Sequence, residues 1–271
     1  KCRMPDDALE GNVHLKNIPL LAGKSYKLHL MLLLAASNMN SEAFAKFKSI
    51  LESVVYYTVI DKIATNITER TFALWCRDVR NIVTAEDLDC FVKNTIIPTV
   101  NDWKLDNKSN FLRLGLNSMQ QYRIKFILGK ITAYVDALKL GKTTVEDLTT
   151  YTETAVEIEH IMPQTCTDKE LYGMDEEEFS VYINRLGNLT LLENTINRSI
   201  QNDVYANKAT YYKQSKFYIT SSISELVNLG QDTAINRTNS LLSSWPDWNK
   251  QAIEERQEMF YRLSEMIWEL R

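Results

Sequence analysis

Apolar residues recur every three to four positions through most of the first half of the chain, the spacing that places them on one face of a helix. Ser41 to Ile63 opens on Ser-Glu-Ala-Phe and carries Phe44, Phe47, Ile50, Leu51, Val54, Val55 and Val59, which predicts a long amphipathic helix. Thr84-Ala85-Glu86-Asp87 predicts another through Val92, and Gln120 to Leu138 a third. Leu28 to Ala36 is almost wholly apolar but includes His29, and at nine residues it falls well short of the roughly 18 to 20 that a membrane span needs, so it predicts a buried helix. The rhythm changes at Val156. A short apolar strand ends in Glu159-His160 and is stopped by Pro163, Phe179 to Arg185 fits a short helix, and Gly187-Asn188 fits a turn. Leu189 to Leu192 then fits a second strand, and Asn194 to Lys213 a loop and helix. The fold class expected is mainly α with one small ββα unit, whose hairpin and helix can hold a divalent ion between them. The polar, threonine-rich run Leu140 to Thr154 looks like a connection. It predicts a helical domain over 1–150 and a second domain over 151–271, with the ββα core at about 156–220 and a helical extension over 221–271.

Composition narrows this picture only modestly. A chain of 271 residues with 45% apolar content and 24% charge has ample core for one large or two modest domains. The net charge of −4 argues against a nonspecific nucleic-acid coat, which rests on neutralising phosphates with Lys and Arg. Its distribution is uneven. Asp168 to Glu178 carries six acids and one lysine, whereas Arg185 to Lys216 carries Arg185, Arg198, Lys208, Lys213 and Lys216 against Glu193 and Asp203. Cys2, Cys76, Cys90 and Cys166 form no C-x-x-C pair, so neither a zinc knuckle nor a disulfide framework is expected and a reducing cytoplasm is the natural setting. Cys166 stands in a loop without a partner cysteine or histidine nearby, which argues against a thiolate-metal role. Five N-x-S/T triplets are read as chance. The opening Lys1-Cys2-Arg3-Met4 does not resemble a natural start, so a fragment or processed chain is expected.

Candidate chemistry concentrates in one stretch. Glu159-His160-Ile161-Met162-Pro163-Gln164 is followed 28 residues after the histidine by Asn188, within Leu186-Gly187-Asn188-Leu189-Thr190-Leu191-Leu192, and nine further on by Asn197. Taken singly, His160 would read as a hydrogen-bonded structural histidine, Asn188 as a turn residue and Asn197 as a helix cap. Together they supply what phosphodiester hydrolysis near neutral pH requires: a base for water, and hard oxygen donors for a cation that faces the leaving oxygen. Gly141-Lys142-Thr143-Thr144 resembles the tail of a phosphate-binding loop, but the first glycine of that motif would fall at Asp136 inside a helix, so no nucleotide site is expected there.

On these residues, Val156 to Thr220 resembles the HNH domain of the GmrSD-type modification-dependent (type IV) restriction endonucleases, to which the phosphorothioate-sensing SspE-like nucleases are similar. Asn202, Lys208, Tyr211, Ser215 and Phe217 add to the likeness, as do Trp248-Asn249-Lys250-Gln251-Ala252-Ile253, Arg256, Leu263 and Ile267-Trp268 near the end. The resemblance implies a helical connector followed by an HNH nuclease domain and a terminal helix. It implies His160 as the base that activates water, Glu159 and Asn197 as ligands of Mg²⁺ or Mn²⁺, and Asn188 as the residue that ties the hairpin loop and so orients the base. Arg198 and Lys208 are the candidates for phosphate contacts. Glu159 stands where the wider HNH group commonly has Asp. The activity implied is endonucleolytic, nicking one strand of double-stranded DNA at a time to leave 5′-phosphate and 3′-hydroxyl ends, as the effector of a prokaryotic, cytoplasmic antiphage defence protein. Full-length proteins of that family carry an amino-terminal nucleotide-handling and sensor domain, which this chain is expected to lack; an oligomer is compatible, and no membrane is implied. Two alternatives stay open: a non-cutting module that keeps the fold and binds DNA or a partner, and RNA as the substrate.

Overall fold

A computed structural model describes residues 12–145, 147–165 and 172–270. Cys2, Cys166 and the first part of the acidic run, Asp168 to Leu171, lie outside the described residues. The chain forms two compact units, one taking the described residues up to Phe111 together with the chain end from Trp268, the other running Leu112–Ile267.

The first unit is helical. Its described helices are α1 (Val13–Ala22), α2 (His29–Ala35), α3 (Ser41–Ile60), α4 (Thr65–Val79), α5 (Ala85–Phe91), α6 (Ile97–Trp103) and α7 (Asn107–Leu112), which ends at the division between the units. The periodicity that predicts α3 also selects its inward face, with Phe47, Ile50, Leu51, Val54 and Val55 buried. Thr84 caps α5 in a reciprocal capping box with Asp87, as the motif requires. Pro98 cannot donate an amide, and the ladder ahead of it widens into one π-helical stretch (Val92–Ile96). The α1 helix packs on α3, α2 on α4, and α3 on α5 and α6.

The second unit is built around α8 (Gln121–Lys139), which packs on a two-stranded hairpin and several short helices. Gly141 ends α8 with φ +72, and the amide of Lys142 returns to the carbonyl of Ala137, a glycine C-cap rather than a phosphate loop. A short α9 (Thr149–Thr152) leads into β1 (Val156–His160), and α10 (Glu176–Tyr182) comes next in chain order. A single 3₁₀ turn (Leu186–Asn188) enters β2 (Leu189–Glu193). The remaining helices are α11 (Asn194–Ile200), α12 (Tyr205–Tyr212), α13 (Tyr218–Ser221), α14 (Ala234–Asn239) and α15 (Lys250–Ile267). The two strands are antiparallel, with His160 opposite Leu189 and Val156 opposite Glu193. The compact unit that holds the hairpin begins at Leu112, upstream of the boundary expected near residue 150. The reason is α8, which packs on β2 and α15 of that same unit. No described helix is long and apolar enough to cross a membrane.

Candidate active site

The hairpin sets Asn188 against the backbone that follows His160, and α11 sets Asn197 against Glu157 of β1. Side chains alternate along β1, so Glu157 and Glu159 share one face and His160 ends the strand on the other. Immediately after His160 the chain is fixed by Asn188, which is fully buried. Asn188 Oδ1 accepts from the amide of Met162 (2.8 Å), its Nδ2 donates to the carbonyls of Met162 (3.3 Å) and Ile183 (2.9 Å), and its own carbonyl accepts from the amide of Ile161 (2.9 Å). Three of these hydrogen bonds set the backbone at 161–162, next to the imidazole, and the fourth ties Asn188 to Ile183.

His160 is half-buried, and its side chain meets Asn184 through a hydrogen bond and Gln164 at 3.4 Å. Burial lowers its pKa from the usual 6.5; the Asn184 hydrogen bond opposes this and the nearby Lys208 ammonium adds to it. The net effect keeps the imidazole neutral near pH 7, the form able to accept a proton. Gln164 and Asn184 also line an open cleft of about 500 Å³ with Thr165, Glu176, Phe179, Ser180 and Ile183.

On the opposite face, Glu159 is buried and its Oε1 accepts from Lys208 Nζ (2.6 Å) and from the Tyr212 hydroxyl (3.0 Å). Lys208 Nζ also donates to the carbonyl of His160 (2.7 Å). This corrects the expectation for Lys208: at 1% exposure it cannot reach a DNA phosphate, because α12 turns it inward as the counterion of Glu159. The same pair limits Glu159, of which Oε2 is the oxygen not engaged by Lys208 or Tyr212. Arg198 is exposed on α11, where a phosphate could meet it. Asn197, also on α11, donates Nδ2 to Glu157 Oε2 (2.7 Å), which leaves its own Oδ1 toward other ligands. Among the described residues no three His, Cys, Asp or Glu side chains group as a metal site by themselves. The available oxygens, from Glu159, Glu157 and the Asn197 amide, are hard donors on neighbouring elements, and their chemistry fits a divalent cation such as Mg²⁺. Glu157 escaped the sequence reading, although its place two residues before Glu159 on a strand was the available signal.

Behind the hairpin, α15 and Trp248 just ahead of it supply a second polar layer. Arg256 Nη1 donates to the carbonyls of Gly187 (2.9 Å) and Leu189 (2.7 Å), Gln257 Oε1 accepts from the amide of Gly187, and Trp248 Nε1 donates to Asn188 Oδ1 (2.9 Å). The helix comes so close that a Cβ at position 187 would lie 2.2 Å from the carbonyl oxygen of Ile253, which is why glycine stands there.

Residues 101–263 match the family model of the GmrSD restriction endonucleases, C-terminal domain. No curated protein matches the chain.

Proposed function

Because the chain belongs to the GmrSD restriction endonuclease C-terminal domain family, we propose that its hairpin unit is an HNH-type, metal-dependent DNA endonuclease centre, the effector half of a modification-dependent restriction protein. The observation that carries this reading is the half-buried His160 at the end of β1, beside backbone that Asn188 pins in place. His160 takes the proton as water attacks the phosphorus, and the bond to the 3′-oxygen breaks to leave a 5′-phosphate and a 3′-hydroxyl. Glu159 Oε2 and Asn197 Oδ1 would hold a Mg²⁺ or Mn²⁺, with Glu157 beside them. When bound, that ion supplies positive charge for the oxygen that departs. Asn188 orients the base through the 161–162 backbone, and Arg198 offers a phosphate contact. One such site acts on one strand at a time, so nicking of duplex DNA is the expected activity. The amino-terminal sensor domain and self-association belong to the same proposal.

A second reading, a non-cutting DNA- or partner-binding module, draws on the buried Lys208–Glu159 pair, which neutralises one of the two assigned metal ligands. The test is supercoiled plasmid incubated with the chain and Mg²⁺ or Mn²⁺, with EDTA and an Asn197→Ala variant as controls. Conversion to open circles that both controls abolish is the expected result. Intact plasmid under every condition would favour the binding module, and cleavage that persists in EDTA would refute metal dependence.

A further inference from the structure

Arg256 is completely buried, yet among the described residues none of its hydrogen bonds goes to a carboxylate. Its Nε and Nη2 have no hydrogen-bond partner among the described residues, and the guanidinium lies 4.4 Å from the Phe260 ring centre and 6.0 Å from that of Trp248. Burial lowers its pKa to about 9, which still leaves it charged at neutral pH. A buried cation without a counterion is an expensive way to fill a core, since apolar residues of similar volume commonly serve as well or better. What this side chain does that an apolar one cannot is to grip two carbonyls with one nitrogen. Those carbonyls belong to Gly187 and Leu189, the residues on either side of Asn188. Leu189 is also the β-partner of His160. Trp248, just ahead of α15, donates to the same Asn188 oxygen that holds the amide of Met162.

We propose that Arg256 is a positioning residue for the nuclease: by clamping the Gly187 and Leu189 carbonyls it fixes Asn188, and through Asn188 the 161–162 backbone that aims His160. This rests on the nuclease reading above, but the clamp is measurable without it. Arg256 is sealed from solvent, so it cannot touch DNA, and its loss must act on turnover rather than on substrate capture.

The experiment compares the full chain with Arg256→Met and Arg256→Lys at a temperature where melting curves show each folded. Amide hydrogen exchange at Ile161 and Met162 and the kcat and KM for plasmid cleavage in Mg²⁺ are then measured. In Arg256→Met, exchange at Met162 should quicken about tenfold while α8 is unchanged, a local opening rather than a global one. The kcat should fall about a hundredfold with KM unaltered, the penalty of a base displaced by about an ångström. Arg256→Lys, whose ammonium lacks the planar fork, should fall between the two. Wild-type Met162 exchange in folded Arg256→Met, or unchanged kcat per folded molecule, would overturn the proposal. If Arg256→Met does not fold, wild-type exchange and kcat in Arg256→Lys would overturn it equally. Should the wild type cut nothing while Met162 exchange still rises, the clamp stands and the nuclease reading fails by itself.

Discussion

The two units bury different things. In the first, the interior is apolar, built from residues such as Ile18, Leu33, Val54, Phe72 and Val100, and its buried carboxylate, Glu52, is held by His14 (2.6 Å) and Asn17 (3.1 Å). In the second, Glu159, Lys208, Asn188, Arg256 and Gln257 are all buried around a hairpin of two five-residue strands. The difference follows from backbone chemistry. Helices satisfy their own amides and carbonyls along their length, so apolar faces suffice to hold them. A lone two-stranded hairpin is marginal by itself and leaves its turn groups unpaired. Here side chains fill that gap: Asn188 for Met162 and Ile183, Arg256 and Gln257 for Gly187 and Leu189, and Lys208 for the carbonyl of His160. In the second unit the buried charges of Glu159, Lys208 and Arg256 lie against the backbone that carries the candidate base.

Breaking the polar layer should cost most. Lys208→Met leaves Glu159 buried without its cation, which should destabilise the protein by about 3–5 kcal/mol in urea titrations with EDTA present. Adding Glu159→Gln to that variant should recover part of the loss, whereas equal losses in the single and double variants would show that the pair is not coupled.

A smaller effect is expected at Asp136, whose carboxyl burial raises to about 6 from 3.8 although the Tyr218 amide and the Tyr151 hydroxyl bond to it. The unfolded chain releases this proton near 3.8 and the folded one near 6, so folding takes up a proton between those values. Stability from this group is greatest below 3.8, falls as pH rises through 6, and is level above. At 1.36 kcal/mol per pH unit the whole step is about 3 kcal/mol. Asp136→Asn, which keeps an oxygen for the Tyr218 amide, should flatten that slope in melts between pH 4 and 7; an unaltered slope would assign it to other groups. Smallest is Thr84→Ala in the first unit, which removes one side of a capping box and should cost about 1 kcal/mol. Cleavage per folded molecule should be unchanged, and a loss of turnover there would erase the contrast between the units.

Most of the elements were legible because their causes are local. Periodicity marked α3 and α8, Thr84 and Asp87 marked the start of α5, and a short apolar run stopped by Pro163 marked β1. The spacing of His160, Asn188 and Asn197 points to β1, the turn into β2 and α11, three neighbouring segments of the second unit. Lys208 was misread because its burial depends on Glu159, 49 residues away, and a lysine among other basic residues looks solvated. Arg256 was legible only as part of a resembling helix, since its targets are main-chain carbonyls 67 and 69 positions away that leave no mark in side-chain identity. The run from Leu140 to Thr154 read as a linker from its polarity, yet Tyr151 bonds Asp136 and α9 packs on α8.

The most direct test of the central claim is single-turnover plasmid cleavage by His160→Ala, with Mn²⁺ binding measured by calorimetry on the same protein. The account predicts that the variant binds Mn²⁺ as wild type does and cuts about 10²- to 10⁴-fold more slowly, the usual contribution of a general base. Cleavage by His160→Ala at the wild-type rate would contradict it and place the chemistry elsewhere.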